Sequence, residues 1–186
     1  MAATHLETRA ALIVVDLQKI SASFPTAHPC AEVVVNPARL ANAFRAKDPP
    51  AIPVNVFGAA PGRTEQSRSA ASLPPDCSDL LATLNQRSQD RLVSKRTSSA
   101  LTRTELADDL NSAGVTQLVA CGVTTNIGDE STARQAHELG FNGTLPRHAM
   151  TDLSAEVHAN GLQQIFPRLG TIGTTQGIIA PLSRRA

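Results

Sequence analysis

Apolar side chains in this chain fall into short unbroken runs, separated by longer stretches in which they recur at helical spacing. Ala10-Ala-Leu-Ile-Val-Val15 contains no polar residue and ends in β-branched side chains. A half-exposed strand would alternate, so this run predicts a strand buried on both faces, as in a parallel sheet. Further strands are predicted at Ala51–Phe57, Asp90–Ser94, Gln117–Cys121, Asn142–Pro146 and Gly170–Thr175. Pro53 cannot donate to a ladder, so its end of the second strand is expected to be irregular. Helices are predicted between the strands. One spans Ala31–Lys47, with Val34, Leu40, Ala43 and Phe44 on one face, Pro37 near its first turn and Asp48-Pro-Pro50 at its end. Shorter ones cover Asp79–Leu84, Thr104–Ala113 (stopped by Gly114), Glu130–Leu139 (stopped by Gly140) and Ser154–Phe166, where Ser154 is the N-cap. The polar stretch Gly58–Pro75 reads as a long loop, of the kind that serves as a lid, a binding loop or a mobile segment.

Strands that alternate with helices predict a single-domain, three-layer α/β/α fold around a mostly parallel central sheet. The 186 residues fit one domain, 1–186, with a substantial core. Such a sheet binds its ligand outside the carboxyl ends of the strands. Asp16, Lys95 and Gly128 each lie just after a predicted strand, so the fold should gather these three distant residues on one side.

Composition narrows the function more than the fold. Lys plus Arg total 17 and Asp plus Glu 16, a net charge of +1, which suggests neither nucleic acid nor an anionic membrane as partner. With no Trp, no Tyr and aromatics at 3%, platforms for stacking bases are not expected. Cys30, Cys77 and Cys121 are odd in number and widely spaced, which fits reduced thiols in a cytoplasmic protein better than a disulfide framework or a zinc site. The apolar run at 10–15 is too short for a signal sequence or a membrane span.

The candidate chemistry begins at Asp16, a carboxyl set hard against the apolar run that precedes it, in Val14-Val-Asp-Leu-Gln18. Desolvation there should raise its pKa towards the range useful to a general acid or base. The alternative is an Asp that caps a turn. Lys95, in Val93-Ser-Lys-Arg-Thr97, reads by itself as a surface lysine; beside Asp16 it would stabilise negative charge. The segment Gly122-Val-Thr-Thr-Asn-Ile-Gly-Asp-Glu-Ser-Thr-Ala-Arg134 joins a strand to a helix and reads as a tight turn. Asp129 within it adds a carboxylate to the site if it points inward, although a helix N-terminal position also explains an Asp.

These three segments, in this order, resemble the motifs of the isochorismatase-like (cysteine) hydrolase superfamily, whose nucleophile turn reads G-V-x-T-x-x-C-V-x-x-T-A-R. Further similarity runs through Thr26-Ala-His-Pro29, Ala149-Met-Thr-Asp152, Ile165–Gly170 and Gly173-Thr-Thr175. The resemblance implies a Rossmann-like fold, a cis peptide at Val123–Thr124, and a homo-oligomer, dimer or tetramer. It also implies Asp16 as acid/base and Lys95 as its catalytic partner, with Gln18, Val123, Thr124 and Arg96 against a small-molecule substrate. The nucleophilic cysteine is replaced by Gly128, which removes the thiol route. Cys121 reads as a buried core thiol. True isochorismatases carry Gly at this position and keep the Asp and Lys. The resemblance therefore implies vinyl-ether hydrolysis of an isochorismate-like substrate with Asp16 as general acid, or else a catalytically silent binder or scaffold. Thr124 stands where isochorismatases have an aromatic residue, and Phe57-Gly-Ala-Ala-Pro61 lacks their glutamine. Arg63, Arg68 and Arg96 are candidates to hold substrate carboxylates. No Walker loop, G-x-G-x-x-G or nicotinamidase-type D-x-H occurs, so neither cofactor nor metal is expected. His28 lies in a loop that could approach the site, whereas His5, His137, His148 and His158 read as surface or helix-face residues.

Overall fold

The computed structural model describes residues 5–47, 50–65 and 73–184. Asp48, Arg68 and part of the Gly58–Pro75 stretch lie outside these residues. In chain order the main elements are β1 (Ala10–Val15), α1 (Lys19–Ala22), α2 (Cys30–Val33), α3 (Val35–Arg45), β2 (Ala51–Val56), β3 (Val93–Lys95), α4 (Leu106–Ser112), β4 (Gln117–Gly122), α5 (Glu130–Glu138), β5 (Asn142–Pro146), α6 (Ala155–Asn160), β6 (Thr171–Gly173) and α7 (Thr175–Ser183). The six strands form one parallel sheet in the order β3-β2-β1-β4-β5-β6.

The unbroken apolar run of β1 explains its central place. Alternate side chains point to opposite faces of a strand, and both faces here are covered. Ala10, Leu12 and Val14 join a core with α3 (Leu40, Ala41, Phe44) and α7 (Ile178, Leu182). Ala11, Ile13 and Val15 join a second core with Ile52, Val54, α4 (Leu106, Leu110) and Ala136 of α5. A third cluster, around Leu145, Met150 and Phe166, fills the β5 side. No helix among the described residues is long and apolar enough to cross a membrane.

The structure departs from the expected elements in several places: Asp79–Leu84 holds only a tight turn at Ala82–Leu84, and Ala31–Lys47 divides into α2 and α3. β2 is regular through Pro53, which pairs with Val14 of β1. On the other flank β3 pairs only from Val54 onward, so the missing N–H of Pro53 costs no ladder bond. The predicted Ser154–Phe166 helix is three pieces: α6, capped by Ser154 (Val157 N–H donates to its Oγ, 3.3 Å), then a wide π-type turn at Gly161–Ile165 and a tight turn at Phe166–Arg168. Finally, α7 went unpredicted. Gly177 and Pro181 read as breakers, yet Thr174 caps the helix by accepting from Gly177 N–H at 3.0 Å, and Ile178 and Leu182, one turn apart, bury its inner face.

The chain runs outward from β1 through β2 to β3, returns to the centre as β4, and runs outward again on the other side. Direction therefore reverses between β1 and β4, and in sheets of this kind the crevice at the carboxyl ends of those two strands is where ligands bind.

Candidate active site

Asp16 directly follows β1 and takes a left-handed backbone conformation, φ 53°. Asp tolerates this region better than most residues, though at a cost that the surroundings must offset. Its N–H donates to Val54 O (2.9 Å), and its carbonyl accepts from Gln18 N–H (3.0 Å) and the Ser21 hydroxyl. The carboxyl turns inward, where Oδ2 accepts from Lys95 Nζ at 2.7 Å while Oδ1, buried, has no hydrogen-bond partner. Burial pushes the carboxyl up, the charge and hydrogen bond of Lys95 pull it down, and the balance leaves its pKa at about 6.

Lys95 closes β3 and is 2% exposed. The expectation that it would read as a surface lysine when taken alone is overturned. Its ammonium donates to Asp16 Oδ2, Thr97 O (3.1 Å) and Ser98 O (3.0 Å), which uses all three hydrogens. Position and charge are thus both fixed by the short loop that follows the strand.

The third wall comes from the end of β4. Gly122 has φ 153°, and a Cβ there would run into the carbonyl oxygen of Val15, so only glycine lets β4 leave the sheet this close to β1. The Val123–Thr124 peptide is cis. Residues Thr125–Asp129 then form one π-type turn ahead of α5, where a simple tight turn was expected. This wider turn carries Gly128 and Asp129 inward. A Cβ built on Gly128 would lie 3.4 Å from Asp16 Oδ2, 3.3 Å from Val123 O and 2.9 Å from Val15 Cγ1. Position 128 therefore faces the Asp16–Lys95 pair, and Val15 occupies part of the room a side chain would need. Asp129 is completely buried, not a solvent-facing helix cap, and neither of its carboxyl oxygens has a partner.

The other expected residues divide. Val123 and Thr124 are buried in the turn, and the carbonyl of Thr124 accepts from Asp129 N–H at 3.1 Å. Gln18 is fully buried, and its amide is engaged with the protein: it donates to Val56 O (3.0 Å) and Cys77 O (3.2 Å) and accepts from Val56 N–H (2.8 Å). Its geometry is that of a brace between β2 and the segment around Cys77. Gln18→Ala should cost about 3 kcal/mol of stability at roughly 1 kcal/mol per bond, seen as a lower urea midpoint. Arg96 is exposed and lies over the Phe57 ring, 4.8 Å from its centroid.

Arg96 also lines a cavity of about 380 Å³ with Lys95, Phe57, Thr97 and Arg103. Arg103 was missed from sequence, where nothing in its spacing marks it. Arg63 is exposed and is not among the residues lining this cavity. A second cavity of about 420 Å³, beside Asn55, Leu81 and Asn85, contains none of the expected site residues.

On the β5 side, Asp152 accepts from Asn126 N–H and Leu153 N–H, each at 2.8 Å, and so pins the π-type turn. His158 is buried, contrary to expectation. Its Nδ1 meets Thr125 Oγ1 at 2.8 Å, and its ring packs edge-on against His28, 5.1 Å between centroids. The 26–29 loop reaches this cluster through His28 N–H, which donates to Thr151 Oγ1 at 3.1 Å. Among the described residues no three His, Cys, Asp or Glu side chains converge as metal ligands. Cys121 is fully buried in β4 and its thiol is pushed well up, first by burial and then by Asp129.

Residues 10–177 match the family model for the isochorismatase domain. The chain belongs to the isochorismatase family. It is 36% identical over 179 residues to the isochorismatase family protein YecD of Escherichia coli O157:H7, covering 92% of this chain and 95% of that one. It is 33% identical to YwoC of Bacillus subtilis, covering 90% and 91%. Among solved structures it resembles an isochorismatase family protein from Burkholderia thailandensis at 34% identity and TM-score 0.90, covering 96% of this chain and 97% of that one. The six-stranded parallel sheet flanked by helices is the isochorismatase-like fold, and the chain is an isochorismatase-family hydrolase.

Proposed function

We propose that this protein hydrolyses the vinyl ether of a small anionic, isochorismate-like molecule by general-acid catalysis from Asp16, with no covalent intermediate. The observation that carries the reading is the carboxyl of Asp16. One oxygen is tied to Lys95, the other is unpartnered, and the pKa of about 6 leaves a usable protonated fraction near neutrality. The protonated Asp16 gives its proton to the methylene carbon of the enol ether. Water adds to the resulting oxocarbenium carbon, and the water's surplus proton returns to the Asp16 carboxylate. The hemiketal then collapses: the bond between the former vinyl carbon and the ether oxygen breaks, the hemiketal hydroxyl proton passes to that oxygen, and pyruvate and a ring alcohol leave. Lys95 holds Asp16 in place and stabilises the carboxylate formed when the proton departs. Gly128 presents backbone alone to the substrate and supplies no nucleophile. Arg96 and Arg103, on the cavity that Lys95 also lines, suit an anionic substrate. The same reading takes Val123 and Thr124 as substrate-facing backbone. It also takes the protein as a cytoplasmic homo-oligomer, which the unpaired thiols of Cys30, Cys77 and Cys121 and the family resemblance support.

Pyruvate release from isochorismate by the purified protein tests the reading. Only protonated Asp16 delivers the proton, so kcat/KM should fall about tenfold per pH unit above a midpoint near 6. Absence of pyruvate, or a rate that rises through that range, would overturn it.

A further inference from the structure

Asp129 is a second carboxyl at this site that the mechanism above does not use. It is fully buried, and neither oxygen has a hydrogen-bond partner. Its neighbour in sequence, Gly128, faces the Asp16 carboxyl. The titratable groups that act on it are Asp16 after β1, Lys95 at the end of β3, Cys121 in β4 and Asp152 after β5. Lys95 is the cation in that set, and its three hydrogens are committed to Asp16 and two carbonyls. Asp152 is a further carboxyl, and it accepts from two backbone N–H groups. A charged Asp129 would be a buried anion with no hydrogen-bond donor, beside two further carboxyls and a Lys95 already paired with Asp16. Proteins avoid that state because it costs several kcal/mol; the group takes up a proton instead.

We propose that Asp129 is held as a neutral carboxylic acid, so that Asp16 and Asp129 form a coupled pair whose resident proton at neutral pH sits on Asp129. Asp129 is then a positioning residue for the acid chemistry. While neutral it places no like charge beside Asp16, and Asp16 keeps a proton affinity low enough to give its proton away. Ionised, it would hold the Asp16 proton in place and silence the acid. The direction of its own shift agrees: burial first, and then Asp16, raise its pKa well above the usual carboxyl value. The two groups should titrate in separate steps, as interacting carboxyls do.

The protonation state of Asp129 can be read without substrate, although its catalytic meaning rests on the reading of Asp16 given above. Infrared difference spectra of the full-length protein at pH 7 should show the C=O stretch of a buried protonated carboxyl. The band should persist in Asp16→Asn and disappear in Asp129→Asn. In Asp129→Asn, the isostere of the neutral acid, the carboxyl band of Asp16 should still appear with a midpoint within about half a unit of its wild-type value, because no charge has been removed. Where turnover is measured, the alkaline limb of kcat/KM should keep the same midpoint. A band absent from wild type, or a midpoint that drops by a unit or more in Asp129→Asn, shows instead an ionised Asp129 and overturns the proposal. If Asp129→Asn does not fold, Asp16→Asn and the double variant Asp16→Asn/Asp152→Asn decide together: a band that persists in both supports a neutral Asp129, and a band absent from either rejects it. Loss of pyruvate release with the band intact would remove the catalytic reading of Asp16 and leave the neutral Asp129 standing.

Discussion

Asp16→Asn should lower kcat/KM for isochorismate about a thousandfold while leaving the fold intact. A positioned general acid contributes roughly 10²–10⁴ to rate, and no other protonated group is assigned to the reacting carbon. Asparagine keeps the shape of the side chain and leaves an oxygen for Lys95, whose other two acceptors, Thr97 O and Ser98 O, are untouched. The variant should therefore melt as a single cooperative transition with unchanged circular dichroism, so that lost activity reports lost chemistry. The pH dependence separates a catalytic role from a structural one. Residual activity in Asp16→Asn should no longer fall above pH 6, because the group that titrated is gone. Activity within tenfold of wild type, or a residual rate that keeps the same limb, would remove Asp16 from the role of acid.

Much of this site could be read from residue order, for a reason visible in β1. A strand buried on both faces must be continuously apolar, so Val15 marks its end and Asp16 is the first residue able to carry charge. Strand ends likewise placed Lys95 at the close of β3 and Gly128 after β4, and parallel topology brings them to one edge. What could not be read lies where backbone conformation departs from strand or helix periods. A turn with π-type spacing has no signature in a 3.6-residue pattern, so Asp129 reads first as a helix N-terminal residue and only second as an inward carboxyl. Burial of His158 depends on its meeting Thr125 Oγ1 across the sheet edge, a contact 33 residues apart in sequence. The amide of Gln18 is spent on Val56 and Cys77, partners that no local pattern links to it. Helix α7 was hidden by Gly177 and Pro181, whose intrinsic cost is offset by packing on α3.

On the proposed mechanism, glycine at position 128 bears on more than one reaction step. A side chain at 128 would meet Asp16 Oδ2 at 3.4 Å. With glycine there, no side chain stands between position 128 and the Asp16 carboxyl, as the proposed protonation and hydration require. Val15 Cγ1 stands 2.9 Å from where that Cβ would be, so the departure at 128 is accommodated by the packing beneath it. Thiol chemistry would need that packing to shift as well as a sulfur to be supplied.

Lys95→Met should be the most destabilising single change at the site, and its cost should grow with pH. Removing one partner of a buried ion pair typically costs 3–5 kcal/mol, because the other charge is left uncompensated. Here the loss also strips a donor from Thr97 O and Ser98 O. Both influences that lower the Asp16 pKa come from Lys95, so without it burial acts unopposed and the folded pKa rises beyond about 6. An acid whose folded pKa exceeds its unfolded value, 3.8, contributes stability that is fully present below pH 4 and is lost as pH rises through the folded pKa. Wild type loses its share by about pH 6, and the variant goes on losing stability above that point. The gap between them should thus be smallest near pH 5 and widen towards pH 8 by about 1.4 kcal/mol for each unit that the variant's Asp16 is raised. Urea unfolding of both proteins at the two pH values, with unchanged m-values, measures it. A gap that stays constant or narrows on going to pH 8 would mean that Lys95 is not what holds the Asp16 carboxyl down. The catalytic consequence follows from the same shift: the alkaline limb of any residual activity should move above pH 6, since a carboxyl without its ammonium partner holds its proton longer and gives it up less readily.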